Sequence, residues 1–501
     1  MKKYFWCLIV YLIILSTILA TTFSYNYIFS DEGTHLLLST FYHNLIGNLP
    51  SLDFSYDKIY NFSINYLVYY PKLQIAYPPV YHITNAFIFF ITGPSIVVSR
   101  LVSLLYGIGT FLIFYFLIRR YFSDKIAFIS VVFFSLSTYS LFYVSRGFQD
   151  FTSFFFMALS FWTFLFANKK QKMKYFILLS IPTALAILAK QTSIIIVVFF
   201  IVYILFRRRD QRVKQISIFV LPLLLILLPY FLILNTVGGF QINKLVAIDY
   251  ASDQGEPTSI LDIKFWLYFL IEPVKFAPFT ILFVGALFFY IYKKEKYWKE
   301  LLIYFLTFYL CLSLIPNKEV RFSQLYLLPA YVIMALYITK AKKQLLLPTF
   351  LVLYIITSTL IFYPTIQSYP QNIIVERVYN QTPKNASLAI LSDSEPLYSS
   401  SIISYMAVRD AKIVILRPCA FGETKEDILN KMDAANVYFV LHTKFDKNQI
   451  LEKVKDELEL SFSISERNLT TDVYKYKNFK DKSPENICNY ICLTGEKICK
   501  R

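Results

Sequence analysis

The segment "YIFSDEGTHLLLST" sets Asp31 and Glu32 side by side, a few residues past the first apolar run. Two adjacent carboxylates there are costly unless they act. Carboxylates can take up a proton or hold a cation. His35 stands four residues after Asp31 and shares its face if the segment is helical, so Asp31, Glu32 and His35 could ligate a divalent cation. Other ionisable residues stand at the ends of later apolar runs: Arg100, Arg146, Asp150, Lys190, Lys318, Glu319 and Arg321. Tyr77 precedes a Pro78-Pro79 pair. Arg and Lys are the side chains that bind anions. Arg146 and Asp150 lie four apart and could equally form a structural ion pair. The chain has 4 His, and His43 and His82 are expected at a surface or interface.

The elements that must position these groups are apolar helices. Of 501 residues, 56% are hydrophobic, in repeated runs of about 20 residues, which marks a multi-spanning membrane protein. Long Phe/Ile/Leu/Tyr stretches with only 12 Gly suit packed helices better than an outer-membrane barrel. The net charge of +17 could suggest nucleic acid. The basic residues instead cluster between apolar runs, as in "RRYFSDK", "NKKQKMKY", "RRRDQRVK" and "KKEKYWKE". That is the pattern of cytoplasmic loops, without the basic stripe of a nucleic-acid face.

This charge pattern predicts a topology. The start, "MKKYFWCLIVYLIILSTILATTF", has an apolar core longer than a signal peptide's and reads as an uncleaved first span. Lys2 and Lys3 are then cytoplasmic and Asp31 is outside. For Arg119, Arg120 and Lys125 to return inside, only one of the segments 78–92 and 96–118 can cross. The first is short and flanked by Pro78-Pro79 and Gly93-Pro94, so it is expected to lie at the interface. Further spans are expected near 126–145, 151–167, 174–189, 192–206, 216–234, 275–292, 299–315, 323–339 and 345–363, about eleven in all. An outer loop near 235–272 carries amphipathic pieces. No internal repeat suggests the inverted halves of a transporter.

After about residue 366 the runs shrink to strand length, in "SLAILSD", "KIVILRP" and "NVYFVLHT". Helix-like pieces, "YSSSIISYMAVRD" and "TKEDILNKMDAA", lie between them. The expectation is a polytopic α-helical domain over 1–365 and a small C-terminal α/β domain over 366–501 with a largely parallel sheet. The odd number of spans puts that domain outside the cytoplasm. The sequons at Asn61, Asn380, Asn385 and Asn468 all fall in outer segments. Cys419, Cys488, Cys492 and Cys499 could form two disulfides in one of three pairings, remain free, or hold a metal.

The ordered series "SDEGTH", "AYPPVYHITNAFIFFITGPSIVVSRLVSLLYG", "RRYFSDKIAFISVVFFSLS", "SRGFQDF" and "ALAILAKQTS" spans roughly the first 200 residues. It resembles the GT-C superfamily of membrane glycosyltransferases, most closely the branch of protein O-mannosyltransferases and lipid A aminoarabinose transferases. "NKEVRFSQLYLLPAY" adds that family's late Lys/Arg-then-Pro segment. The resemblance implies a polyprenyl-phosphate-linked sugar donor, an extracytoplasmic acceptor (protein, lipid or glycan) and transfer with inversion, in a multi-pass protein of the cell envelope.

It matches the family's first acidic position to Asp31, with Glu32 beside it, and its second to Asp150. Asp31 is then expected to act as the base on the acceptor hydroxyl, with Glu32 positioning the acceptor or sharing a metal. An alternative for Asp31 is to cap the helix that follows. Lys318 and Arg321 are the leading candidates for the phosphate, with Arg100 and Lys190 behind them because either could simply pair with a carboxylate. Metal dependence varies among relatives, and membrane lipids are the other expected partner. Many relatives have Lys-Pro-Pro where this chain has Tyr77-Pro78-Pro79, so that lysine's phosphate contact passes to Lys72 or is absent. Tyr77 could instead stack on the sugar or the prenyl chain. The outer domain differs from the sugar-binding modules of eukaryotic mannosyltransferases, so protein is not implied as the acceptor. A transporter or flippase of lipid-linked saccharides is the rival class, but the charges gather at outer helix ends and not at mid-membrane.

Overall fold

The computed structural model describes residues 2–23, 31–69, 77–206, 211–236, 261–315, 319–341, 346–362, 371–384, 386–391, 413–416, 424–434, 436–443, 450–466, 469–480, 488–491 and 496–499. By its contacts the chain divides into two units. The first comprises Met1–Phe23, Ala76–Tyr81 and Arg100–Ile366; the second comprises Ser24–Ile75, His82–Ser99 and Gln367–Arg501. The second unit therefore takes in residues 24–75 and 82–99 as well as the C-terminal region.

In chain order the helices up to residue 206 are α1 (Lys2–Thr21), α2 (Glu32–Asn48), α3 (Tyr56–Tyr69), α4 (Val80–Thr92), α5 (Ile96–Arg119), α6 (Asp124–Ser135), α7 (Thr138–Val144), α8 (Asp150–Lys170), α9 (Met173–Ala189) and α10 (Ile195–Phe206). Then come α11 (Arg212–Thr236), α12 (Ile263–Phe276), α13 (Thr280–Tyr292), α14 (Trp298–Ser313), α15 (Gln324–Lys340) and α16 (Leu346–Phe362). A helix or helix pair stands at each of the eleven segments expected to span. Among the described residues, five stretches are each long and apolar enough to cross a membrane: Lys3–Thr21, Ile96–Arg119, Asp150–Lys170, Arg212–Leu234 and Val320–Lys340. Counting the bent pair α6–α7 as one span makes six. α4 has 13 residues, or about 20 Å at the usual rise, short of a ~30 Å hydrocarbon core.

One expected span is broken. The run 126–145 becomes α6 and α7, bent by 68°. Ser137 leaves helical geometry (φ −59°, ψ 142°) and its hydroxyl accepts from the Ser140 amide at 3.2 Å, so α7 starts with its own cap. The bend turns the chain into the Arg146–Gln149 segment, from which α8 starts at Asp150.

Within the first unit α8 and α9 are antiparallel neighbours, joined through Gln171 in the left-handed region (φ 55°). The start of α8 therefore lies beside the end of α9. α15 is buried along most of its length and packs on α6 and α13. The core between these helices is aromatic, with Phe134 stacked on Tyr331 and Phe164 on Phe200. α5 approaches α7 and α8 closely through Gly107, where a Cβ would lie 2.9 Å from Val144 and 3.6 Å from Phe151. Small residues let apolar helices meet at this range. Gly107→Ala is expected to cost about 1–3 kcal/mol by overpacking, read as a lower thermal midpoint in detergent.

The C-terminal part of the second unit holds a five-stranded sheet of order β2-β1-β3-β5-β4, with β1 Ser387–Leu391, β2 Ile413–Leu416, β3 Val437–Thr443, β4 Leu458–Glu466 and β5 Leu469–Tyr476. β1 pairs in parallel with β2 and β3, while β5 is antiparallel to β3 and β4. The sheet is mixed where a largely parallel one was expected. The difference is the β4–β5 hairpin, whose "LELSFSISE" and "LTTDVYKY" pair directly without a crossover helix. Helix α18 (Lys425–Ala434) supplies Ile428 and Met432 to the core under β1 and β3; α17 (Gln371–Tyr379) precedes it in the chain. A separate hairpin, β6 Cys488–Ile491 with β7 Glu496–Cys499, puts Cys488 opposite Cys499 in register. Cys419, Cys492, Asn385, Asn468 and the helix-like piece 398–410 lie outside the described residues.

Candidate active site

Three of the predicted residues meet in the first unit. Asp150 opens α8, where the helix dipole favours a carboxylate. Lys190 follows the last residue of α9 in an extended conformation (φ −156°, ψ 124°), which ends the helix and turns its side chain away from the helical path. Arg321 lies in a single 3₁₀ turn, Val320–Ser323, just before α15. Lys190 Nζ lies 2.5 Å from Asp150 Oδ1, and Arg321 Nη1 lies 3.8 Å from Asp150 Oδ2. Arg321 Nε also pairs with Glu319. Asp150 is 5% and Lys190 9% exposed, so these are charges removed from water.

Two cations this close repel one another, and Asp150 between them makes the arrangement tolerable. Aromatic faces supply the rest. The Arg321 guanidinium lies 5.6 Å from the Tyr143 ring centre, 5.9 Å from Phe148 and 5.8 Å from Phe322. Lys190 Nζ lies 4.9 Å from the Phe322 ring. Burial, and next the Arg321 charge, hold the Lys190 ammonium below its ordinary range, while Asp150 and Glu319 pull the other way. Ser153 and Ser193 hydrogen-bond to one another beside the cluster. A small recess there is lined by Asp150, Ser153, Lys190, Thr192 and Arg321. It shares Phe154, Met157 and Leu325 with a much larger apolar cavity of about 740 Å³.

The other predicted residues have different surroundings. Arg100 is buried and donates to the Phe23 carbonyl, fastening the start of α5 to the end of the α1 segment. Arg146 is buried with its guanidinium 4.7 Å from the Phe142 ring. Tyr77 is half-buried and starts the Pro78-Pro79 turn. Four residues on, Tyr81 reaches the Asp150 neighbourhood: Ser103 Oγ lies 3.2 Å from the Tyr81 hydroxyl and 2.9 Å from the Phe148 carbonyl. Lys318 lies outside the described residues. The sequence reading missed the aromatic faces of Tyr143, Phe148 and Phe322 and the Ser103 bridge. A serine and aromatic residues inside apolar runs carry no local signal.

Asp31 and Glu32 belong to the second unit. Asp31 occupies the position before α2 but makes no capping bond with its side chain, so its carboxylate is not the helix cap that the alternative supposed. Glu32 is fully buried. His35 pairs with His82. Its Nδ1 lies 3.0 Å from Nε2 of His82, and both rings are buried. Among the described residues no three His, Cys, Asp or Glu side chains assemble into a metal site, so the cage of Asp31, Glu32 and His35 is not formed. His82 is fully buried instead of lying at a surface, because its ring nitrogen has a partner on α2.

Residues 76–234 match the model of the family described as dolichyl-phosphate-mannose-protein mannosyltransferase. No curated protein matches the chain in sequence. Among solved structures, ArnT from Cupriavidus metallidurans in the apo state aligns with a TM-score of 0.61 at 11% identity, over 96% of this chain and 99% of that one. ArnT from the same organism bound to undecaprenyl phosphate aligns with a TM-score of 0.60 at 10% identity, over 94% and 98%. The oligosaccharyltransferase of Archaeoglobus fulgidus, tethered with an acceptor peptide, aligns with a TM-score of 0.52 at 14% identity, over 96% and 74%. The structural likeness is one of fold, and the family match falls on the segment that carries Tyr77, Arg100, Asp150 and Lys190. Residues 76–234 are thus similar to the dolichyl-phosphate-mannose-protein mannosyltransferase family, and the chain as a whole shares the fold of ArnT.

Proposed function

We infer that the protein transfers a sugar from a polyprenyl phosphate to an extracytoplasmic acceptor, with inversion at the anomeric carbon. The observation that carries this reading is the buried Asp150–Lys190–Arg321 cluster adjoining a large apolar cavity. Two cations beside an apolar space suit a phosphate with a hydrocarbon tail. A soluble nucleotide sugar would have no use for the cavity. The undecaprenyl phosphate named with ArnT supports the same donor class.

In this mechanism the Asp31 carboxylate takes the proton from the acceptor hydroxyl as its oxygen attacks the anomeric carbon. The bond from that carbon to the phosphate oxygen breaks, and the prenyl phosphate leaves with the electron pair. Arg321 and Lys190, with Lys318, stabilise the growing negative charge. Asp150 holds the two buried cations in place before the donor arrives. Glu32 positions the acceptor, and Tyr77 packs against the sugar or prenyl chain. The N-terminus is cytoplasmic, and the domain over 366–501 is extracytoplasmic, outside a catalytic domain over 1–365.

The test is turnover of a panel of polyprenyl-phosphate sugars by the purified protein in detergent. Transfer from at least one is expected; no transfer from any, with a range of glycan, lipid and peptide acceptors, would reject the reading. A pH series adds a sharper check. Because Lys190 is held below its ordinary range, its charge is lost at a lower pH than that of a free lysine. Donor KM is therefore expected to rise on the alkaline side, at a lower pH than the titration of a free lysine would give. Lys190→Arg is expected to flatten that rise, since arginine keeps its charge.

A further inference from the structure

In the second unit α2 packs beside the His82–Thr92 part of α4, and the two helices run the same way. His35 meets His82 near the start of both, with ring centres 5.2 Å apart. Further along, the His43 and Phe90 ring centres are 4.6 Å apart, and a Cβ on Gly47 would lie 3.5 Å from the same Phe90 ring. Most of this seam is ring against ring, and apolar contact is non-directional, so it resists sliding weakly. The His35–His82 contact is of another kind. Nδ1 of His35 lies 3.0 Å from Nε2 of His82, and both rings are buried. One nitrogen must donate and the other accept, and such a bond weakens steeply with misalignment. A polar pair of this kind in an apolar seam fixes the register of two helices.

What α2 carries at its start is Asp31. The His35 amide donates to the Asp31 carbonyl at 2.8 Å, and the Ser39 hydroxyl donates to the His35 carbonyl at 2.7 Å. These bonds make Asp31 to His35 one closed helical turn, about 6 Å long. The Asp31 side chain makes no cap bond that would fix it separately. We propose that the His35–His82 pair is a positioning device that sets the axial height of α2, and with it the place of the Asp31 carboxylate. The pair acts through Asp31 and not on the substrate. The inference rests on the reading above that Asp31 is the base. A reacting group displaced by about 1 Å can cost about a hundredfold in rate, which is the scale of the effect. Lys190 and Arg321, the cations for the donor phosphate, belong to the first unit, so donor binding does not depend on the pair.

The experiment replaces both rings at once, in purified full-length protein. His35→Phe/His82→Phe keeps the volume of the seam and removes both members of the bond, so the thermal midpoint is expected to stay close to that of the wild type. Its kcat at saturating donor and acceptor is expected to fall about 30- to 100-fold, with donor KM unchanged. On the Asp31→Asn background the same two changes are expected to cost no more than about threefold, since a slipped helix then has no base to misplace. Single substitutions carry the test if the double variant does not fold. His82→Gln can pair with His35 through its amide nitrogen or its oxygen, and is expected to keep kcat within about threefold of wild type, while His82→Phe loses most of it. Wild-type kcat in folded His35→Phe/His82→Phe, losses that multiply with that of Asp31→Asn, or equal kcat in His82→Gln and His82→Phe would each overturn the positioning role and leave Asp31 as the base. Wild-type kcat in Asp31→Asn overturns the reading of the base itself.

Discussion

Asp31→Asn is expected to transfer sugar about a thousandfold more slowly than the wild type or worse, within the range that loss of a general base produces. Its yield, membrane insertion and thermal midpoint should be unchanged. The argument is chemical before it is structural. An acceptor hydroxyl is a poor nucleophile until its proton has somewhere to go, and an amide of the same size cannot take it. The structural contribution is that Asp31 does not spend its carboxylate on capping α2. If it did, Asp31→Asn would retain the cap, since Asn caps as well as Asp, and would lose little activity. Single-turnover kinetics with a pre-bound donor separate the two cases. Wild-type rates in Asp31→Asn would remove this residue as the base and turn attention to Glu32, which is buried beside it.

The second large effect is at Arg321. Arg321→Ala is expected to lower kcat/KM for the donor by about a hundredfold to a thousandfold, as removal of a preorganised charge-stabilising group does. Arg321→Lys should recover only part of this, because an ammonium lacks the planar fork that reaches Asp150, Glu319 and a phosphate together. The protein should still fold, since Asp150 keeps Lys190 at 2.5 Å. Asp150→Ala is the contrasting case. It leaves Lys190 and Arg321 facing each other in a buried site, at a stability cost of about 3–5 kcal/mol. Arg321→Ala should therefore be a catalytic lesion in a stable protein, and Asp150→Ala a lesion in both. Equal kcat/KM in Arg321→Ala and wild type, measured with the preferred donor, would reject the phosphate role.

Hydropathy and charge order alone located most helices in this chain. A run of apolar residues must be helical to satisfy its own backbone in lipid, and that requirement acts within each run whatever packs against it. The same local logic placed Asp150, Lys190 and Arg321 at the ends of elements, and it marked the change to short strands after residue 366. Where a local signal was weak, the reading fell short. The bend at Ser137 depends on one hydroxyl capping α7. The β4–β5 hairpin makes the sheet mixed through pairing choices that neither strand states by itself.

What only the tertiary structure decided is which distant groups touch. Lys190 and Asp150 are 40 residues apart, and they meet because α8 and α9 run antiparallel. Arg321 reaches the same carboxylate from a turn 171 residues further along the chain. Tyr143, Phe148 and Phe322 became a box for its guanidinium, and His35 met His82, 47 residues away. Residue identity sets what a side chain can do. Its partner is set by how bulky aromatic surfaces and small residues such as Gly107 let whole helices pack, and that shape complementarity is a property of pairs of elements that no single stretch of sequence contains.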